Sequence, residues 1–159
     1  MEVSPRTLAI VAGVAAALSG LAYIFGHRTG SRREQRLNLA RYRNRNRVLI
    51  LFAPNRNDSR YQRQLREIAG QMEAFRDRDI AELHVLSSGP GGTVKPSDAS
   101  LLRTLFNVRR GQFRVVLLGK DGATALDESS SVSASQIFDL VDEMPMRQQE
   151  LRRQGVSVR

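Results

Sequence analysis

The chain has 159 residues, of which 25 are basic and 16 acidic, and a net charge of +9. It contains no cysteine and only two histidines. Disulfides, a thiolate nucleophile, cysteine metal sites and a multi-histidine metal centre are therefore excluded, and we expect no cofactor. The length suits one domain with an appended segment.

The positive charge is concentrated in one short stretch. Residues 27–47 carry eight arginines against a single acid, Glu34, which is a net charge of +7. Residues 48–159 carry 16 basic and 14 acidic residues, a net charge of +2. The overall charge therefore does not by itself indicate a nucleic-acid-binding domain.

Residues 8–25 are apolar and contain no charged side chain. A helix of this length would measure about 27 Å, close to the roughly 30 Å hydrocarbon core of a bilayer. We predict that residues 1–26 form a single-pass membrane anchor and that the domain lies in the cytoplasm, because the arginines follow the apolar segment. A cleaved signal peptide, with export of the domain, and a transit peptide are the alternatives.

The arginine-rich segment 27–47 has no apolar core pattern, and we expect a solvated juxtamembrane linker. Three roles are open for this segment. It can be a stop-transfer flank that only sets the orientation in the membrane, or it can bind anionic lipid headgroups. Binding of nucleic acid is the third role and has the least support, because Tyr42 is the single aromatic residue that could stack on a base. The predicted lipid-contact residues are Arg28, Arg32, Arg33, Arg36 and Arg41.

A globular domain is predicted for residues 48–159. The continuous apolar run Val48–Ala53 is typical of a central strand that is buried on both faces. Asn57, Asp58 or Ser59 can cap a following helix over residues 59–76. Its predicted inner face consists of Tyr61, Leu65, Ile68, Ala69, Met72 and Phe75.

Residues 80–86 are predicted to form the second strand, and the glycine-rich loop 87–97 is interpreted as a flexible connection. This loop lacks the Lys-Ser/Thr signature of a phosphate-binding loop. Asp98 is expected to cap a short helix. The side chains expected to face inward from that helix are Leu101, Leu102, Leu105 and Phe106.

A third strand is predicted at residues 113–118, and a hairpin turn at residues 120–122 leads to a short fourth strand at 123–126. Ser133 and Gln136 have the spacing of a capping box, which opens a last core helix. That helix should bury Ile137, Phe138, Val141 and Met144 on one side and should break before Pro145.

The order of these elements predicts an α/β domain. Strands joined through helices should be parallel, and the last two strands should form an antiparallel hairpin. We therefore predict a single thioredoxin-like domain with a four-stranded mixed sheet and flanking helices, preceded by a hydrophobic helix at the amino terminus.

Three motifs are similar to a known family: Leu51–Pro54, Val115–Gly122 and Met144–Arg147. The chain resembles the peroxiredoxin-like domain of unknown function found in bacterial proteins and in animal sushi-repeat-containing and equarin-type proteins. The resemblance covers about residues 47–153 and implies a thioredoxin-like fold without an established activity. The motif residues are Pro54, Gly119, Lys120, Asp121, Gly122, Met144, Pro145, Met146 and Arg147.

Thioredoxins carry a reactive cysteine at the start of the helix after the first central strand, where the helix dipole lowers the thiol pKa. Here that place reads Pro-Asn-Arg-Asn-Asp-Ser over residues 54–59, and no proline precedes the strand at Phe113. Disulfide exchange and peroxide reduction through a thiol of this chain are therefore excluded.

The same corner is a candidate contact for an anion or an acidic partner, because a helix amino terminus attracts negative charge. The candidate residues are Arg56, Asn57, Ser59 and Arg60. The alternative is that they only cap the helix and face solvent. Catalysis is less favoured, because a nucleophile, a base and an orienting group are not visible together. His84 is interpreted as a strand residue rather than a ligand.

The sequence thus favours a membrane-tethered, redox-inactive thioredoxin-like domain that acts as a binding module for an unknown protein or peptide. Two alternatives stay open. One is an enzyme with non-thiol chemistry at the corner after the first strand. The other is an electrostatic adaptor that binds anionic lipid or nucleic acid through the basic linker.

Overall fold

A computed structural model describes residues 39–155. Within this part of the chain, no helix is long and apolar enough to cross a membrane. The predicted anchor at residues 8–25 lies outside the described residues, as do Arg28, Arg32, Arg33 and Arg36.

Four strands form one mixed sheet in the order β2-β1-β3-β4. β1 pairs in parallel with β2 and antiparallel with β3, and β3 pairs antiparallel with β4. The predicted four-stranded mixed sheet is thereby confirmed. The strands are β1 (Arg47–Ala53), β2 (Ile80–Leu86), β3 (Arg114–Leu118) and β4 (Thr124–Glu128).

β1 is the central strand, as its continuous apolar run predicts. Every residue of β1 is buried, because alternate side chains enter two hydrophobic cores on opposite faces of the sheet. Leu49 and Leu51 pack under the helices that follow β1 and β4. Ile50 and Phe52 pack on the other face, under the helix that joins β2 to β3.

Five helices cover the sheet: α1 (Ser59–Ala69), α2 (Met72–Asp77), α3 (Pro96–Leu105), α4 (Ala134–Asp142) and α5 (Pro145–Arg153). The predicted single helix over residues 59–76 was wrong, because it ends at Gly70 and restarts at Met72. Phe75 of the second helix lies in the core, whereas Met72, predicted to face inward, is 51% exposed.

The prediction for α3 was wrong in two respects. The helix begins at Pro96, so Asp98 lies inside it rather than capping it. Leu101 and Leu105 are exposed, whereas Leu102 is buried as predicted, together with Asp98, Ala99 and Arg103. Proline suits the first turn of a helix because its missing N–H would have no partner there, which explains the earlier start.

β3 runs antiparallel to β1, although a helix joins it to β2, so the expected parallel direction was wrong for this strand. Residues at both ends of the connection meet at the carboxyl edge of the sheet: the Ser87 hydroxyl donates to the Arg110 carbonyl. The chain therefore enters β3 from the edge at which β2 ended, and β3 has to run back. β4 then follows as the predicted hairpin, with Gly122 in the turn at φ +87°.

Side chains from the predicted solvated linker also contribute to this fold. A 3-10 turn, Leu39–Tyr42, places Leu39 and Tyr42 against the core under α3. Asn44 donates its N–H to the Lys120 carbonyl at 2.8 Å. Arg47, expected to be solvated, is the first residue of β1 and has no exposed surface.

The carboxyl-terminal helices follow the sequence signals closely. Ser133 and Gln136 form the predicted capping box at the start of α4. Ile137 and Val141 of α4 are completely buried. Pro145 occupies the first turn of α5, which separates the two helices at the predicted place.

Candidate functional site

The corner between β1 and α1 is closed by the chain's own carboxylate. Asp58 caps α1 and accepts hydrogen bonds from the backbone N–H groups of Arg60 and Tyr61 at 3.0 and 3.2 Å. The Arg60 guanidinium lies 2.8 Å from the same carboxylate. Its side-chain hydrogen bond holds the pKa of Asp58 below the usual value, although partial burial opposes the shift. The positive end of the helix and Arg60 are thus already neutralised.

The other predicted contact residues of this corner are close together and exposed. The Asn57 N–H donates to the Asn55 side chain at 2.8 Å, and the Arg56 carbonyl accepts from Gln62 at 2.7 Å. Ser59 begins α1. An anion or partner contact through these residues stays a prediction, and Asp58 is the group with which such a ligand would compete.

His84 is the only histidine in the described part of the chain, and it does not contact Ser59. Its Nδ1 lies 2.7 Å from the Tyr61 hydroxyl, and its Nε2 lies 3.2 Å from Glu82. Both ring nitrogens are therefore occupied, and no serine–histidine pair forms at the corner. Burial raises the pKa of Tyr61, which keeps its hydroxyl protonated as a hydrogen-bond partner of the imidazole.

Two motif residues of the family resemblance belong to one buried ion-pair cluster at the opposite end of β1. We define this cluster as Arg47, Lys120, Arg147 and Glu150 with their acidic neighbours. Lys120 lies 2.7 Å from both Glu150 and Asp79. The Arg147 guanidinium, almost fully buried, contacts Asp77 and Asp142.

The cluster joins the start of β1, the β3–β4 hairpin and α5. Arg47 donates to the Arg78 carbonyl at 2.8 Å and contacts Glu150 at 3.3 Å. Burial by itself would raise the pKa of Glu150, but the hydrogen bonds from Lys120 and Arg47 lower it below the usual value. Each of the four residues has an oppositely charged partner inside the protein, although the Nε of Arg47 is buried without a hydrogen-bond partner, so the cluster is a structural element.

The other motif residues shape turns. A Cβ atom on Gly119 would lie 2.5 Å from the Asp121 carboxylate, and this carboxylate accepts the Ala123 N–H at 3.0 Å. The Pro54 carbonyl accepts the N–H of Ser88 at 3.1 Å. Met144 precedes α5 as its cap residue and Met146 lies in its first turn. These positions explain the motifs by folding rather than by chemistry.

A cavity of about 780 Å³ opens at the carboxyl end of β2. Its walls are the glycine-rich loop after β2, the helix α3 and the segment before β3. Such a volume is within the range of small-molecule sites, about 300–1,000 Å³. The lining residues are Leu86–Gly92, Val94, Pro96, Ala99, Ser100, Arg103, Thr104 and Asn107–Arg110.

Arg103 forms one wall of this cavity and is 7% exposed. Its guanidinium donates to the carbonyls of Ala53 and Val85, both at 2.8 Å, and to the carbonyl of Arg109 at 3.0 Å. Burial, together with the nearby charge of Arg110, lowers its pKa. The side chain thus ties both parallel strands to the segment that leads into β3.

Sequence patterns do not predict this cavity. The glycine-rich loop by itself indicates only a flexible connection, and the walls of the cavity come together only through tertiary contacts. One signal was present: Ala99, Leu102, Arg103 and Phe106 have the i, i+3, i+4, i+7 spacing of an inward helix face. An arginine in such a stripe indicates a buried charge with a specific role.

Two comparisons place the domain among known sequences. A family model for a domain of unknown function, DUF4174, matches residues 38–150. Coiled-coil domain-containing protein 80 of Danio rerio is 28% identical over 133 residues. That match covers 71% of this chain and 15% of the length of the relative.

Peroxiredoxins are among the solved structures with a similar fold. The reduced 2-Cys peroxiredoxin of Plasmodium vivax has a TM-score of 0.55 at 16% identity, covering 71% of this chain and 85% of that one. Plasmodium yoelii thioredoxin peroxidase I has a TM-score of 0.52 at 16% identity, covering 77% and 83%. At these identities the likeness shows the fold alone. Together with the family match, it confirms the predicted resemblance to a peroxiredoxin-like domain of unknown function.

Proposed function

The chain belongs to the DUF4174 family, a family of domains of unknown function, and we propose that it acts as a non-redox binding module tethered to a membrane. The chain has no cysteine, so the corner at which thioredoxins place their thiol has no redox group of its own. The fold therefore serves here as a scaffold.

The cavity beside α3 is the observation that supports a binding role. It lies at the carboxyl end of the parallel strand β2, and open α/β sheets place their ligands at the carboxyl ends of their strands. A catalytic role has less support, because Ser59 lacks a base and both nitrogens of His84 are occupied. We propose that a ligand enters the α3 cavity and is held without turnover.

A titration of the full-length chain in neutral detergent micelles, followed by amide NMR, tests the binding role. The probes are citrate and phosphate as anions, spermidine as a cation, glucose as a neutral sugar and trialanine as a peptide. We expect at least one class to shift the amides of residues 87–110 saturably. The proposal fails if every class leaves these amides unchanged.

The tether is proposed from the sequence, since residues 8–25 are uncharged and precede the arginine-rich segment. Because the chain has no cysteine, a single introduced thiol reports its own location. Ser135→Cys, in the domain, should react with an impermeant maleimide only after cell lysis. Ser4→Cys, before the apolar segment, is the matched control and should react in intact cells. Labelling of Ser135→Cys in intact cells, or a mature chain that starts after residue 20, would contradict the tether as proposed.

A further inference from the structure

The proposed binding role leaves the class of ligand open, and the walls of the cavity point to one. Resting on that role, we infer that the α3 cavity binds an organic oxyanion, a small molecule with a carboxylate or a phosphate group. Three arginines line the cavity, and no acidic residue is among its lining residues.

The buried arginine of this cavity, Arg103, has no acidic partner among the described residues. Within residues 39–155, Arg103 forms no ion pair, and its three recorded acceptors are neutral carbonyl oxygens. Its Nε is buried and has no hydrogen-bond partner. A buried charge that lacks a counter-charge is costly, so a bound anion would relieve a cost that the domain carries alone.

Two further arginines stand at the rim. Arg109 and Arg110 are exposed, and their guanidinium groups have no hydrogen bond or ion pair to any described residue. They differ in this from Arg60, whose charge Asp58 neutralises. Guanidinium groups bind carboxylate and phosphate through paired hydrogen bonds, so this rim has the chemistry that an oxyanion requires.

The glycine-rich loop supplies additional donors. The backbone N–H groups of Gly89, Gly91 and Gly92 make no hydrogen bond within the described part of the chain. All three residues line the cavity. Gly89 and Gly91 have φ values of +79° and +102°, which residues with a Cβ atom rarely adopt. These N–H groups are additional hydrogen-bond donors among the lining residues of the cavity.

The size of the cavity favours an anionic group on a larger molecule over a free inorganic ion. The lining also includes the apolar residues Leu86, Val94, Ala99 and Val108. Apolar lining residues beside cationic ones fit a molecule with a carbon skeleton and one charged end. Separate titrations with a carboxylate probe and a phosphate probe distinguish the two possible anionic groups.

The experiment is a titration of the full-length chain in neutral detergent with sodium citrate and with sodium phosphate, each against sodium chloride at equal ionic strength. We expect one or both probes to shift the amides of residues 87–95 and 103–110 saturably. The double variant Arg109→Gln/Arg110→Gln should weaken that binding by about tenfold or more, since charge-assisted hydrogen bonds are lost. The double variant Arg152→Gln/Arg153→Gln removes the same charge from the end of α5 and should bind as the wild type does.

The possible results separate this inference from the proposed binding role. If spermidine, glucose or trialanine shifts the cavity amides and both anions fail, the cavity binds ligands but the oxyanion class is wrong. If the anions shift only residues 56–60, the corner is the anion site and the inference is overturned. Equal binding by both double variants, or equal shifts in chloride, would also overturn it. Both rim arginines are exposed, so their replacement tests the inference even where an Arg103 variant does not fold.

Discussion

Arg45 and Arg47 are neighbours in an arginine-rich stretch, yet the structure gives them opposite roles. Arg45 is exposed, whereas Arg47 has no exposed surface and contacts Glu150 and the Arg78 carbonyl. We predict that Arg47→Ala strongly destabilises the domain and that Arg45→Ala, the matched control, leaves its stability almost unchanged.

The size of the effect follows from the contacts that Arg47 makes. Removing one partner of a buried ion pair costs about 3–5 kcal/mol. Glu150 keeps Lys120 at 2.7 Å and retains some access to water, its side chain being 22% exposed. We therefore expect the lower part of that range, about 3 kcal/mol. Arg45→Ala should stay within about 0.5 kcal/mol, as surface substitutions usually do.

Urea unfolding of the full-length chain in neutral detergent, followed by circular dichroism, measures both free energies of unfolding. The two variants lose the same charge, so a general electrostatic effect of the arginine-rich segment would move both midpoints alike. Equal shifts would refute the assignment of Arg47 to the buried ion-pair cluster. They would also contradict the placement of the first residue of β1.

Three further predictions test the core, the cluster and the absence of redox chemistry. Leu51→Ala should lower the free energy of unfolding by about 2–5 kcal/mol, because Leu51 is completely buried. Leu105→Ala is the control and should have little effect, because Leu105 is 64% exposed. Equal urea midpoints for the two variants would contradict the assignment of β1 as the central strand. Glu150→Gln should destabilise the domain at neutral pH, because the Glu150 carboxylate pairs with Lys120 and Arg47. The folded-state pKa of Glu150 is lowered, so its contribution is present above its ordinary pKa and is lost as the pH falls through the lower folded-state value. The unfolding midpoints of wild type and Glu150→Gln should therefore converge as the pH falls through that range, whereas exposed Glu143→Gln should match the wild type throughout. A constant Glu150→Gln difference would remove Glu150 as the cause. The purified, metal-free protein should reduce neither insulin disulfides nor hydrogen peroxide, since the chain has no cysteine, and reproducible turnover by contaminant-controlled protein would contradict that exclusion.

Local sequence patterns determined much of the architecture. The apolar run Val48–Ala53 predicted a strand buried on both faces, and all six of its residues are buried in β1. Ser133 and Gln136 predicted a capping box, and both of its hydrogen bonds are present. Asp58, one of three candidate caps, is the one that caps α1. These features depend on residues that are close in the chain, so their periodicity and spacing carry the information.

The motifs of the family resemblance predicted the fold but not their own roles. Lys120 belongs to a hairpin motif and Arg147 to the start of α5, and the structure brings Lys120 to Glu150 and Arg147 to Asp77. Nothing in the spacing of residues 119–122 or 144–147 identifies these partners. The sequence alone does not distinguish a charged residue that is buried in an ion pair from one that is exposed, because the partner comes from a distant segment of the chain.

The same limit explains the helix faces and the cavity. α3 has leucines on both sides, so periodicity alone did not decide that Leu102 turns inward and Leu105 outward. Arg103 enters the interior because the ends of β1 and β2 present carbonyls to it. The sequence by itself determined the strands, the caps and the absence of a thiol. Tertiary structure alone decided which charges are buried and where the cavity lies, because the free energy of a charged side chain depends on partners that the chain places far away in sequence.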